Sequence, residues 1–146
     1  MTDFLMDPTR VIHSPFRVST ATQRSRSQVR RVRGTLPTVL DGLRDVTGFS
    51  HIFLPHVLLR LSCCRLLVRP FLDGQRRGLF ATRYPCRPNP IGLSVVGLRG
   101  RRGNVLEVEG IDVLGGTPLL DIKAYVPEFD VRTSVKTGWY ATRSRE

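Results

Sequence analysis

Phe80-Ala-Thr-Arg-Tyr-Pro-Cys-Arg-Pro-Asn-Pro-Ile-Gly-Leu-Ser94 is the stretch around which the chain is organised. An apolar, strand-like run ends at Thr82, and Arg83 follows at once. Two X-Pro turns then flank Arg87, Asn89 stands between two prolines, and Gly92 precedes the return to apolar sequence. Pro85, Pro88 and Pro90 fix their own φ and push the residues before them towards extended backbone, so the loop is stiff. Ordering a flexible loop costs roughly 1–2 kcal/mol per residue in backbone entropy, and a stiff loop avoids much of that cost. Two readings follow. The loop presents two guanidinium groups and an amide to a ligand, or it only reverses the chain.

Outward from this loop, the chain has 146 residues, the length of one domain. The expected organisation is a core over about 9–130 and a C-terminal tail over 131–146. No apolar run is long enough to span a bilayer, so no membrane partner is expected. The acidic start Met-Thr-Asp-Phe-Leu-Met-Asp lacks the basic region of a signal peptide, which points to a cytoplasmic location. The net charge is +11, and Lys123 and Lys136 are the only lysines. A surplus of arginine, with its planar fork of donors, suits phosphate and so a nucleic acid. Arginine-biased codon usage is the plain alternative. Cys63, Cys64 and Cys86 lack CxxC spacing, so neither a structural metal site nor a disulfide framework is expected, and the thiols read as reduced and partly buried.

The elements expected from pattern are short. Thr9–His13 alternates as a strand and ends at Ser14-Pro15; residues 17–28 read as a mobile loop; Val29–Leu36 reads as an exposed strand. Leu40, Leu43 and Val46 recur on one face of a short helix over Thr38–Val46, stopped by Gly48. Phe49–Leu61 reads as an apolar strand in which Pro55 demands an edge or a bulge. Further strands are expected at Cys64–Pro70, Gly78–Thr82, Leu93–Leu98, Val105–Ile111 and Leu119–Tyr125. Turns fall at Asp73-Gly74, Gly100–Asn104 and Gly115–Pro118, and an extended tail carries Trp139. This is a mainly β chain, a barrel or sandwich with one or two short helices. No GxGxxG follows a strand and opens a helix, so a Rossmann site is not expected.

The loop, with Val-Ile-His-Ser-Pro-Phe16, Gly-Phe-Ser-His51, Leu-Leu-Val-Arg-Pro-Phe71 and Asp112–Tyr125, resembles the TsaA-like (TrmO-like) family over roughly residues 9–130. The resemblance implies a non-Rossmann β-barrel that binds S-adenosylmethionine, commonly as a homodimer. It also implies methylation of N6-threonylcarbamoyladenosine in the anticodon loop of tRNA. A methyltransferase for a small metabolite, and a non-enzymatic S-adenosylmethionine-binding or regulatory protein, are the alternatives. The chain departs from the family at His56-Val-Leu-Leu59, where an aromatic and histidine-bearing strand end is common, and at Gly115, where aspartate is frequent.

The resemblance assigns cofactor contacts to Gln23, Arg83, Leu93, Asp112, Val113, Leu114 and Gly115. Arg83 would meet a carboxylate through a bidentate bond. Leu93 and the backbone of 112–115 would wall the adenine, and Gly115-Gly116 lets backbone approach a ligand closely. Phe80 or Tyr125 would face the sulfonium. Substrate contacts fall to Arg87, Asn89, Arg30 and Arg31, with Arg24, Arg26 and Arg33 adding phosphate-binding charge. Arg87 would shape the pocket or meet the substrate, and Asn89 would pin the loop. Asp121 with Lys123 reads as a structural pair. The catalytic base stays open among His51, Asp112 and Tyr125, and no metal is expected.

Overall fold

The structure is a computed structural model that describes residues 6, 8–14, 29–34, 40–59, 65–71 and 73–142, without the side chains of 29, 30, 33 and 34. Among these residues the strands are β1 (Arg10–His13), β2 (Val29–Gly34), β3 (His51–Val57), β4 (Leu67–Val68) and β5 (Arg77–Gly78). They continue with β6 (Ile91–Arg102), β7 (Val105–Glu109), β8 (Thr117–Leu119) and β9 (Lys123–Ala124). The main sheet runs β6-β7-β2-β1-β8-β3, and β3 pairs back with β6, closing six strands into a barrel. β9 adds to β3 beyond β8, and β4 and β5 form a separate two-stranded ribbon.

Alternation fills the barrel. Ile12, Val32, Ile52, Leu54, Val96, Leu106, Val108 and Leu119 are buried and pack into one core. Val32 is 0% exposed, and β2 pairs with both β1 and β7, so the strand expected to be exposed is internal. Arg10 also enters the interior, where its Nη1 donates to the Asn104 carbonyl at 3.0 Å and ties β1 to the β6–β7 turn.

Pro55 lies inside β3, opposite Leu93 of β6. Its carbonyl faces the other side and accepts from Leu120 N at 2.9 Å. That is where β8 has ended and β9 has not begun, so the missing N–H leaves no ladder bond unmade. The expected helix over Thr38–Val46 is replaced by two 3-10 turns, Asp41–Leu43 and Val46–Gly48. Asp45, at φ 62°, breaks the run between them, while Leu43 and Val46 still supply buried contacts. Gly78–Thr82 is a 3-10 turn (Leu79–Ala81) rather than a strand, and among the described residues of the strand expected at Cys64–Pro70 only Leu67–Val68 pair. β6 continues through the arginine-rich segment to Arg102, leaving Gly103, at φ +58°, to turn the chain. The last expected strand divides into β8 and β9, and the tail forms α1 (Pro127–Asp130) and a 3-10 turn (Gly138–Thr142). The mobile loop expected at 17–28 lies outside the described residues.

His56 points inward near the end of β3, with Nδ1 donating to the Leu54 carbonyl at 2.9 Å. Gly92 leaves room for the ring: a Cβ there would stand 2.3 Å from His56 Nε2. Burial holds the imidazole below its ordinary value of 6.5, against a smaller opposing effect of the bond to Leu54. The folded state therefore binds fewer protons than the unfolded chain just below pH 6.5. This stability is complete above 6.5 and is lost as pH falls from there through the lower folded value. Urea midpoints should drop across that window, and His56→Gln should flatten the drop. Gly92→Ala should cost about 1–3 kcal/mol by overpacking, read from the same midpoints at pH 7.5.

Candidate active site

The antiparallel pairings gather particular chain ends at one rim of the barrel. β1 and β3 end there, while β6 and β8 begin there. Leu58 N donates to the Pro90 carbonyl at 2.6 Å, seating the proline loop beside the end of β3. Gly116 N donates to the Ile12 carbonyl at 2.9 Å, seating the 112–116 segment beside the end of β1. Gly115 is forced by this approach, because a Cβ there would lie 2.3 Å from the Ser14 carbonyl oxygen. Thr117 Oγ1 closes the turn by donating to the Leu114 carbonyl at 2.7 Å.

Arg87 organises the proline loop. Its Nη1 donates to the carbonyls of Thr82 at 3.0 Å, Tyr84 at 3.2 Å and Leu79 at 3.5 Å. Its Cζ also lies 5.6 Å from the centre of the Phe80 ring. Thr82 Oγ1 donates to the Leu79 carbonyl at 2.8 Å and accepts from Tyr84 N at 3.2 Å. From the tail, Trp139 Nε1 donates to the Ala81 carbonyl at 2.8 Å, and Arg77 lies over its ring at 5.6 Å. Cys86 is buried and disulfide-bonded, which corrects the expectation of a reduced thiol there.

The expected site residues now divide. Arg83 is exposed on the loop and Asp112 is exposed on the 112–116 segment; neither makes a hydrogen bond or ion pair among the described residues. Val113 packs against the core, Leu114 is half-buried and supplies the turn carbonyl, and Leu93 is 60% exposed on the outer face of β6. Arg87 holds the loop, the role expected of Asn89. Asn89 contributes its backbone carbonyl to Ile91 N, and its side chain is exposed. Arg31 is exposed on β2, opposite Glu107. Gln23, Arg24 and Arg26, and the side chains of Arg30 and Arg33, lie outside the described residues.

The aromatic and basic candidates change most. Tyr125 packs on Phe53 at 5.5 Å and on His51 at 6.1 Å between ring centres. His51 opens β3, roughly 20 Å from the rim at about 3.3 Å per residue, and Tyr125 packs beside it. Phe80 faces Arg87. Of the three candidate bases, Asp112 alone stands at the rim. Asp121 and Lys123 form the expected surface pair at 2.8 Å. Trp139 is the contact that local sequence missed, since its partner is 58 positions away. Its one signal was an indole in an otherwise polar tail.

Among the described residues, a closed six-stranded barrel with two loops at one rim and no Rossmann element defines a non-Rossmann β-barrel domain. Residues 11–131 match the tRNA-methyltransferase O N-terminal domain. The chain belongs to that family. It is 47% identical over 135 residues to a probable S-adenosyl-L-methionine-binding protein of Pyrococcus abyssi, covering 90% of this chain and 73% of that protein. It is 34% identical to the tRNA (adenine(37)-N6)-methyltransferase of Escherichia coli, covering 87% of this chain and 60% of that enzyme. The crystal structure of TrmO from Pseudomonas aeruginosa superposes with a TM-score of 0.78 at 30% identity, over 94% of this chain and 62% of that one.

Removing the loop clamp should separate the two arginines. Arg87→Ala strips donors from three carbonyls and should cost about 1–3 kcal/mol in a urea melt. Arg83→Ala, at an exposed position without partners, should stay within about 0.5 kcal/mol of the parent.

Proposed function

We infer that this chain is an S-adenosylmethionine-dependent methyltransferase that acts on N6 of threonylcarbamoyladenosine in the anticodon loop of tRNA. The carrying observation is the rim, where Pro90 of the proline loop is bonded to the end of β3 and the 112–116 segment is bonded to the end of β1, with Gly115 against Ser14. The residues there suit the cofactor. Arg83 offers an uncommitted fork for a carboxylate. Asp112 offers an acceptor for a ribose hydroxyl or an amine. Gly115 marks a close backbone approach, and Leu93 gives an apolar wall. In the family reading Gln23, Val113 and Leu114 complete the cofactor contacts, while Arg87, Asn89, Arg30 and Arg31 face the substrate.

Bound S-adenosylmethionine supplies a methyl group on a sulfonium that is already a good leaving group. What remains for the protein is alignment, which can account for about 7–11 kcal/mol of a barrier. Arg87 and the prolines hold the loop in place before binding. Of His51, Asp112 and Tyr125, Asp112 is the candidate base at the rim, and in this reading it either holds the cofactor or takes the N6 proton. The net charge of +11 favours a polyanionic substrate.

The folding unit in this reading is residues 9–130, and its setting is the cytoplasm. A homodimer fits the outer face of the β3–β6 pair, where Ile91, Leu93 and Val95 are exposed and apolar. Sedimentation of the chain at micromolar concentration tests the dimer.

Methyl transfer from labelled cofactor into tRNA from cells lacking the modification should exceed transfer into a small-molecule extract. The opposite order would replace tRNA by a metabolite. Arg83→Ala should weaken cofactor binding by roughly 10- to 150-fold in calorimetry, the loss of a charged hydrogen bond. Unchanged affinity would remove Arg83 from the site.

A further inference from the structure

A concave feature stands beside the proline loop. A cleft of about 450 Å³ is lined by Arg65, Leu66, Leu67, Arg69, Arg76 and Tyr84, among others. Arg65, Arg69 and Arg76 are exposed and have no ion pair among the described residues. The reason is local. Asp73, the carboxylate of this β4–β5 ribbon, is buried and accepts from Arg77 Nε at 2.8 Å and from Gln75 N at 3.0 Å. Arginines on β6 are neutralised instead, Arg99 by Glu109 and Arg102 by Glu107.

Leu66 and Leu67 are 63% and 62% exposed between these charges, an unfavourable arrangement for a face that meets only water. Tyr84 completes the cleft with a half-buried ring. Its backbone is fixed on both sides, by Thr82 Oγ1 at its N–H and by Arg87 at its carbonyl. The volume falls within the range that holds a small ligand. An aromatic face in a groove with three free guanidinium groups is the arrangement that binds unpaired nucleotides, the ring stacking a base and the arginines tracking phosphates.

Resting on the methyltransferase reading above, we propose that this cleft binds a single-stranded RNA segment, with phosphates on Arg65, Arg69 and Arg76 and an unpaired base on Tyr84. Tyr84 follows Arg83 directly, so the same stiff loop serves cofactor and RNA. The cleft thus adds RNA contacts next to Arg83 to those that the family reading assigns to Arg30 and Arg31. A duplex fits poorly, because its bases are already stacked. A lipid surface fits poorly too, because the apolar and aromatic groups line a concavity.

The test uses the full chain, a labelled 17-nucleotide anticodon stem-loop, a fully paired duplex of equal length, and vesicles containing phosphatidylserine. Arg65→Gln/Arg69→Gln/Arg76→Gln should reduce the log–log salt slope for the stem-loop by about 2, from roughly 0.7 per phosphate. Tyr84→Leu should weaken stem-loop binding about tenfold or more, while Tyr84→Phe keeps it. Cofactor affinity of the triple variant should equal the parent's. An unchanged salt slope, equal affinity for the duplex, or tighter binding to vesicles than to the stem-loop would each overturn the proposal. If the triple variant methylates tRNA with the parent's kcat/KM, the cleft fails while the methyltransferase reading stands. If the parent transfers methyl only to a small molecule and does not bind the stem-loop, both fail together.

Discussion

The 12 residues of β6 serve two partners, and the closure of the barrel depends on this. Ile91–Gly97 pair with β3, and Gly97–Arg102 pair with β7. β6 gives one edge to β3 over its first half and the other edge to β7 over its second. The register slips between Leu98 and Gly100, as a bulge does when it increases local twist. Gly97 is the pivot, paired with both His51 and Glu109, and a Cβ there would stand 3.0 Å from Glu109 Cγ. With the bend made, the start of β6 lies beside the end of β3, and the proline loop has one place to go.

The rim follows from that closure. A loop built from Pro85, Pro88 and Pro90 is stiff but has no position of its own. Its position comes from the Leu58–Pro90 hydrogen bond at one end and from Arg87 across its middle. The arginine surplus therefore has several fates. Arg10 supports the core, Arg87 supports a loop, Arg99 and Arg102 balance the acidic face of β7, and Arg83 remains available. A net charge read from composition does not distinguish these uses, because each is decided by where a carboxylate or carbonyl lies after folding.

What sequence made legible was period and punctuation. Alternation in β1 and β7 and an apolar run in β3 marked the strands, and the absence of a glycine fingerprint excluded the Rossmann class. The long motifs identified both halves of the rim. Lost were features set by distant partners. Leu79–Ala81 looks like the end of a strand but is drawn into a 3-10 turn, with Arg87 and Trp139 on its carbonyls. His51 looks like a site residue by composition, yet β3 carries it to the far end. Asp45 reverses φ and divides what apolar spacing made one helix. The disulfide at Cys86 had no signal in the spacing of the cysteines.

The bond from Trp139 to Ala81 has an optical consequence. Trp139 is the sole tryptophan of the chain, so all indole emission comes from one ring on the first turn of the loop. The indole N–H is held by a backbone carbonyl, and a guanidinium lies over the ring face. Both contacts set the excited-state energy of indole. A shift of that turn by a fraction of an ångström changes wavelength and intensity together. The protein thus carries its own probe of loop geometry, with no label and no substituted residue.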